Sequence, residues 1–326
     1  MYLVIADDSG TPLTLAYDYD LDLQYGEDSN SFTLNSYDQE IQIQKFNRIW
    51  VDGTSFGGIV TKLCPEETAS ESSITYKGTT LQGILKSHVI MPPSNATHYS
   101  VSGEANEVLA KVIAYVGLDD FFTVSNEDSG INISNYKFYR FIDAYSGLRM
   151  MLLNSQAKLK FSCIDNQFQI SAVPYDLYGD IESELVYFKV ERDFLPVNHL
   201  IGLGKGEGTA RAISHWYADF LGNLSQKQSL NGEYENALTY TLSSEESDTL
   251  STKTKSKLKE YQDSSEADFS IPDGIDLDVD DQVTFSNAKY NVSATTSVSD
   301  VVLKVNKGIA SVSYKFGKPD FPEDED

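Results

Sequence analysis

Over the first hundred residues apolar side chains recur at every second position, as at Leu21, Leu23 and Tyr25 and again at Ile74 and Tyr76. A period of two predicts half-buried strands. The stretches LTLAYDYDLDLQYG, NSFTLNS, QKFNRIWVDG, GGIVTKLC and SSITYKG read this way. The period then changes. In SGEANEVLAKVIAYVGL, residues Ala105, Val108, Leu109, Val112, Ile113 and Val116 fall at helical spacing, with Ser102 placed to cap and Gly117 to stop the helix. A strand is expected at KFYRFID and a second helix around AYSGLRMMLLNSQ, whose Leu148, Met151 and Leu152 would face a core. Next, Leu159, Phe161 and Cys163 alternate up to Asp165-Asn166, and Phe168, Ile170 and Ala172 alternate away from it, which predicts a hairpin.

Strand patterns resume at VYFKVERD, NHLIGLG, RAISHWYAD and ALTYTL. A polar helix is expected from about Glu245 to Tyr261, with Ser243 and Glu246 as a capping box. Its sparse apolar residues, Leu250, Leu258 and Tyr261, predict that it lies on a surface. Further strands, DFSIPDG, DLDVDDQVTF, KYNVSATTSVSD, LKVNKG and ASVSYKFG, precede an acidic end, PDFPEDED. The fold class is mainly β with an inserted αβ unit. The expected divisions are 1–98, β-rich; 99–174, the αβ insert; 175–242, a second β part; and 243–326, the surface helix with the closing strands.

Composition agrees with strands: 20 Tyr and 16 Phe stand among many Thr, Ser and Val. No apolar run approaches membrane-spanning length, and MYLVIADDSG lacks the basic start and small-residue cleavage site of a signal peptide. A soluble protein without a membrane segment is expected. Cys64 and Cys163 sit far apart in apolar contexts and read as two buried free thiols. With 49 acidic against 25 basic residues, the formal charge of −24 argues against a positive groove and specific nucleic-acid binding.

Several motifs fail on their context. NHLIGLGKGEG has glycines at every second position around a lysine, but a dinucleotide fingerprint counted from Gly202 and Gly204 finds Glu207 where its third glycine belongs. A P-loop finds His199 and Gly206 in the wrong places. Interleaved glycines instead suit a strand that another backbone approaches closely, or a bulge. GTSFG, Gly53 to Gly57, matches the nucleophile elbow, which requires strand, turn and helix. Here a second strand follows, so Ser55 reads as a hairpin-turn residue. DLDVDDQV places acids at alternate positions, yet an EF-hand counted from Asp276 wants Gly and Glu where Asp281 and Asn287 stand. Ile275, Leu277 and Val279 between acids read as a strand with one wet face. The histidines His88, His98, His199 and His215 show no metal-ligand spacing, although His199 and His215 fall on strands that could be neighbours. The expected catalytic, metal and cofactor sets are therefore empty.

An ordered series of stretches resembles the tail hub proteins of bacteriophages, the central baseplate or tail-tip component related to the N-terminal hub part of siphophage tail-associated proteins. The series is LDLQYGEDSNSFTL, IWVDGTSFGGIV, YKGTTLQGILKSHVIMPP, GEANEVLAKVI, YRFIDAYSGLRMMLLNSQAKLKFSCIDNQFQISAVP, NHLIGLGKGEGTARAISHWYADFLGNLSQ, and DVDDQVTF with its closing strands to YKFG. It covers residues 14 to 317, and its specificity lies in order and spacing. The resemblance implies tail-tube-like β-barrel domains, two per subunit, assembling as a homotrimer into a pseudo-sixfold ring. The implied neighbours are the distal tail protein or tail tube, the C-terminal end of the tape measure protein, and fibres, receptor-binding or tip proteins. The implied location is the virion tail tip, after assembly in the host cytoplasm. The chain ends at Asp326, so a peptidase or lysin is expected on another polypeptide.

In such hubs Gly202, Gly204 and Gly206 look like structural strand and turn residues. Related chains tend to carry Gly-Asp where this one has Asp280-Asp281, and Asp tolerates a left-handed turn. DNA must pass the hub without sticking, so acids are expected on the bore. Asp18, Asp20 and Asp22, and Asp276, Asp278 and Asp280, have the alternate spacing of barrel strands. The competing classes are a tail-borne cell-wall or polysaccharide hydrolase and a carbohydrate-binding tip module. The first lacks a motif in its required context, and scattered tyrosines are more often core and rim residues than stacking faces.

Overall fold

A computed structural model describes residues 1–36, 42–67, 72–178, 187–192, 195–262, 265–270, 276–287, 292–307 and 309–317. The chain forms two compact units, 1–187 with 269–326, and 188–268.

The first unit begins with Leu3–Ala6 (β1), Pro12–Ala16 (β2), Tyr19–Gly26 (β3), Ser31–Ser36 (β4), Arg48–Trp50 (β5), Gly57–Glu67 (β6) and Ser72–Thr80 (β7). All are antiparallel neighbours in one sheet. On β3, Tyr19, Leu21, Leu23 and Tyr25 point into a core while Asp20, Asp22 and Gln24 point away, as the alternation predicts. The β1 run LVIA is buried at every position. Its two faces serve two cores: Leu3 and Ile5 belong to one, Val4 and Ala6 to the other. A strand covered on both sides needs an unbroken apolar run, and β1 has one.

The second core is filled by the insert. Leu81–Lys86 (α1) follows β7 directly and is capped by the Thr80 hydroxyl. The strand pattern assigned to this region conceals α1, which is only six residues long. Ser100–Glu104 (β8) leads into Ala105–Tyr115 (α2), with Val108, Leu109 and Val112 fully buried. The cap is Glu104, whose carboxylate accepts from the Glu107 amide at 2.9 Å; Ser102 lies within β8 and is spent on the Asn135 amide. Phe122–Val124 (β9) and Asn132–Lys137 (β10) come next, so the strand expected at KFYRFID lies one segment earlier. Ala144–Leu153 (α3) is capped by Asp143. Ala157–Ile164 (β11) and Gln167–Pro174 (β12) form the hairpin in the expected register, turning on Asp165 and Asn166 at φ 51° and 61°. Two successive left-handed residues give the turn whose twist matches the strands.

Leu177–Tyr178 (β13) then joins the edge of the large sheet. In the second unit Tyr187–Arg192 (β14) pairs with a later strand, and His199–Leu203 (β15), Ile213–Ala218 (β16), Leu224–Ser225 (β17) and Ala237–Thr241 (β18) form a four-stranded sheet. Ser247–Gln262 (α4) packs Leu250, Thr254 and Leu258 inward. It starts at Ser247, too late for Ser243 to be its cap. It shares its unit with β15–β18, whereas the sequence groups it with the closing strands. Ser265–Ser270 (β19) is the partner of β14. The chain returns to the first unit as Gln282–Asn287 (β20), Val292–Asn306 (β21) and Ile309–Gly317 (β22).

Among the described residues the large sheet has eleven strands and is open. Its terminal strands β13 and β2 do not pair with one another, so the described residues show no closed barrel of the kind that the family resemblance implies. The mainly β class holds, with four α-helices among the described residues. Cys163 is buried, but Cys64 is exposed, because β6 beyond Val60 is exposed at every position from Thr61 to Glu66. Putting a charge at Leu109 or Val112 buries an unpaired ion where exposure is zero, so Leu109→Asp or Val112→Asp should destabilise the first unit by about 3 kcal/mol or more. Thermal unfolding that matches the parent in both variants would show that α2 does not anchor this core.

Candidate functional site

The segment Asp276–Asp281 is not the strand that its alternation predicts. It is an irregular segment ending in a turn, with Leu277 and Val279 buried as expected but with Asp280 and Asp281 buried and Asp278 half-buried as well. Asp280 takes φ 77°, a left-handed conformation that Asp tolerates better than most side chains. That backbone aims two consecutive carboxylates, at 1% and 0% exposure, into the protein.

Each meets a cation from the insert. Arg149, on α3, donates from Nε to Asp280 Oδ2 at 2.9 Å and from Nη2 to Asp280 Oδ1 at 2.6 Å, a bidentate fork. Its Nη1 reaches Glu27 Oε1 at 2.7 Å, just beyond β3, and its guanidinium carbon lies 5.2 Å from the Tyr145 ring. Lys158, at the start of β11, places Nζ 2.5 Å from Asp281 Oδ1 and 3.3 Å from Asp176 Oδ2. Asp281 also accepts from the amides of Asp176 and Asp278, at 2.8 and 2.7 Å. Burial lowers the proton affinity of both cations, but the paired carboxylates outweigh it and hold both above their ordinary values. Burial likewise raises Glu27, against the pull of Arg149.

Asp278 completes the cluster. Its Oδ1 accepts from the Tyr25 hydroxyl at 3.0 Å and the Val279 amide at 2.8 Å, and the same hydroxyl lies 2.8 Å from Ser55 Oγ. Burial pushes the Asp278 carboxyl up to about 6, and Lys158 only partly opposes the shift. Ser55 sits in the turn between β5 and β6, as read from the sequence, and its hydroxyl is engaged by a tyrosine rather than by a base. These groups border an open groove of roughly 840 Å³ floored by β11 and β12. Chemically the cluster neutralises charge and fixes backbone.

The other residues singled out by sequence fall elsewhere. Asp18 and Asp22 are exposed and Asp20 is half-buried, on the wet side of β3. Asp20 accepts from the Lys307 amide at 2.8 Å, and Asp22 lies 3.8 Å from Lys304. Asp276 is exposed; Asp278 and Asp280 are turned inward as described. In the second unit, a side chain at Gly202 would meet Thr254 Oγ1 on α4, and one at Gly204 would meet the Glu245 carbonyl just before α4 and Leu250 on it. Gly206 is at φ 103°. His199 and His215 are neighbours: Nε2 of the first lies 2.9 Å from Nδ1 of the second, and His199 Nδ1 lies 2.7 Å from Glu235. Sequence reasoning missed Arg149 and Lys158. Arg149 left a signal, a lone charge inside the apolar run LRMMLL, which demands a buried partner, whereas Lys158 shares AKLKF with the exposed Lys160 and left none.

Two outcomes follow from the cluster. Arg149→Leu leaves Asp280 buried without its cation and should cost about 3–5 kcal/mol in denaturant unfolding; a loss below about 1 kcal/mol would mean that water replaces the guanidinium. For Asp278 the folded value of about 6 lies above the ordinary 3.8, so the folded state holds the proton more tightly. The resulting stability is complete below about pH 4 and lost as the pH rises through about 6. Asp278→Asn should therefore gain on the parent between these limits, and parallel stability curves would contradict the shift.

No family profile and no curated protein matches this sequence. Solved structures do. The 43 kDa tail protein of prophage MuSo2 from Shewanella oneidensis superposes with a TM-score of 0.56 at 11% identity, covering 98% of each chain. The tail protein from Neisseria meningitidis MC58 gives 0.51 at 10% identity, covering 97% of this chain and 95% of that one. Over nearly its whole length, this chain is structurally similar to phage tail proteins.

Proposed function

We propose that the chain is a structural hub of a bacteriophage tail. It forms a trimeric ring at the distal end of the tail tube, joins the tube or distal tail protein to the tip or fibres, and passes DNA through its bore during ejection. The observation that carries this reading is the fold shared end to end with the S. oneidensis tail protein, with 98% of both chains covered. Likeness over part of the chain would have fitted an appended module. The ordered stretches between residues 14 and 317 point to the same family, and both lines favour a virion component attached at the host surface.

The partners proposed are two further copies of the chain, the distal tail protein or tube, the end of the tape measure protein, and tip or fibre proteins. Lys and Arg contacts to phosphate would each add a salt-dependent attraction to passing DNA, whereas a wall of carboxylates repels it. Among the candidate acids, Asp18, Asp20 and Asp22 suit that wall best, because Asp20 and Asp22 share the side of β3 that faces away from the core and Asp18 lies exposed just before that strand. Asp276 remains available to solvent. Asp280 is committed to Arg149 and takes no part.

Light scattering on the purified chain at high concentration should give three times the 36.3 kDa chain mass. A cryo-electron microscopy map of that species should then place Asp18, Asp20 and Asp22 on the inner wall. A single-chain mass even with tail partners present would overturn the hub reading, and a basic bore with acids confined to the outer rim would overturn the lining alone.

A further inference from the structure

The chain contains a single Asn-Gly pair, Asn231–Gly232, in the second unit between β17 and β18. Both residues are exposed. They open a tight turn in which the Tyr234 amide donates to the Asn231 carbonyl at 3.4 Å and the Glu235 amide to the Gly232 carbonyl at 3.1 Å. The Asn231 side chain makes no bond to that turn, so its amide carbon is open to attack. The nitrogen beside it is equally free. Among the described residues no acceptor is in place for the Gly232 amide, and nothing lies within 4 Å of where a side chain on Gly232 would stand. A glycine in open space turns its nitrogen at little steric cost.

Two comparable pairs are held. After Asn154, which is also exposed, the Ser155 amide donates to the Leu152 carbonyl at 2.8 Å. After Asp52, the Gly53 amide donates to the Cys163 carbonyl at 2.8 Å. Withdrawing either nitrogen breaks a hydrogen bond, whereas Gly232 has none to break.

We propose that Asn231 is a site of spontaneous self-modification. The Gly232 nitrogen attacks Cγ of Asn231, and an N–C bond forms as the Cγ–Nδ2 bond breaks. The Gly232 amide proton leaves with Nδ2 as ammonia, and a succinimide ring remains. Water then opens the ring at either carbonyl, giving aspartate or isoaspartate. Each event adds a carboxylate, and isoaspartate also routes the backbone through the side chain, lengthening it by one carbon.

The turn that changes is fastened to β15. Asn198 Nδ2 donates to the Tyr234 carbonyl at 2.7 Å, the Asn236 amide donates to Asn198 Oδ1 at 3.0 Å, and His199 Nδ1 lies 2.7 Å from Glu235 Oε1. The Asn198 and His199 amides both donate to the Asn236 carbonyl, at 2.9 and 3.2 Å. A longer backbone at Asn231 shifts these partners out of register, so the modification loosens the start of β15.

Ageing the purified full chain in warm, mildly alkaline buffer, followed by tryptic peptide mass spectrometry, tests the chemistry. The Gln228–Lys253 peptide should become one dalton heavier at Asn231 and split into two products, on the order of tenfold faster than the same change at Asn154. Conversion at Asn231 no faster than at Asn154 overturns the proposal. Asn231→Gln keeps the amide but sets it one carbon further from the nitrogen, and its peptide should stay unchanged. Conversion of that variant at the parent's rate overturns ring closure by Gly232. Amide hydrogen exchange at Asn198, His199 and Asn236 reads the structural consequence, and it should quicken in the aged parent but not in aged Asn231→Gln. Equal exchange in the two, with the parent converted, overturns the loosening of β15.

Discussion

Two cations buried against two consecutive carboxylates hold the first unit in its shape. Arg149 and Lys158 belong to the insert, while Asp280 and Asp281 precede β20, more than a hundred residues later in the chain. Neither partner is tolerable alone, because an ion at this depth without its counterion costs several kcal/mol. The insert, the end of β3 and the return of the chain to the large sheet are therefore interdependent. The same turn fixes backbone as well as charge: the Asp280 amide donates to the Val298 carbonyl, and the Val298 amide donates to the Asp281 carbonyl. A charged joint of this kind contributes less net stability than an apolar one of equal size, yet it admits one geometry.

Around that joint the large sheet works as a partition. Its β1 strand feeds Leu3 and Ile5 to the core shared with the closing strands, and Val4 and Ala6 to the core of the insert. Trp50 crosses to the second side and meets Phe168 edge to face, with ring centroids 5.6 Å apart. The second unit repeats the principle on a small scale. Its sheet lays Leu200 and the bare backbone of Gly202 against α4, where a side chain on that glycine would strike Thr254. In both units a sheet covered by helices leaves the remaining acids to the wet side, and this accounts for part of the −24 charge without invoking a ligand.

Periodicity carried far into the fold. Alternation on β3, the stripe of α2, and the β11–β12 hairpin around Asp165-Asn166 are all local patterns whose burial follows from spacing alone. Gly53 to Gly57 was legible as a turn because a strand follows it. The six-residue α1 was not legible, being too short to display a helical period, and KFYRFID misled because aromatic residues at loop positions imitate a strand.

The sequence by itself therefore determined β3, α2 and the β11–β12 hairpin, the mainly β class, and the failure of the nucleotide, elbow and calcium motifs, since each depends on residues close together in the chain. Only the tertiary structure decided which acids face water. Asp22 and Asp280 have identical alternate spacing, yet one lies at the surface and the other is buried on Arg149. The difference comes from partners contributed by segments 282 and 131 residues away. Charge burial is a question of what packs opposite, and the pattern along a single strand holds no record of its partner.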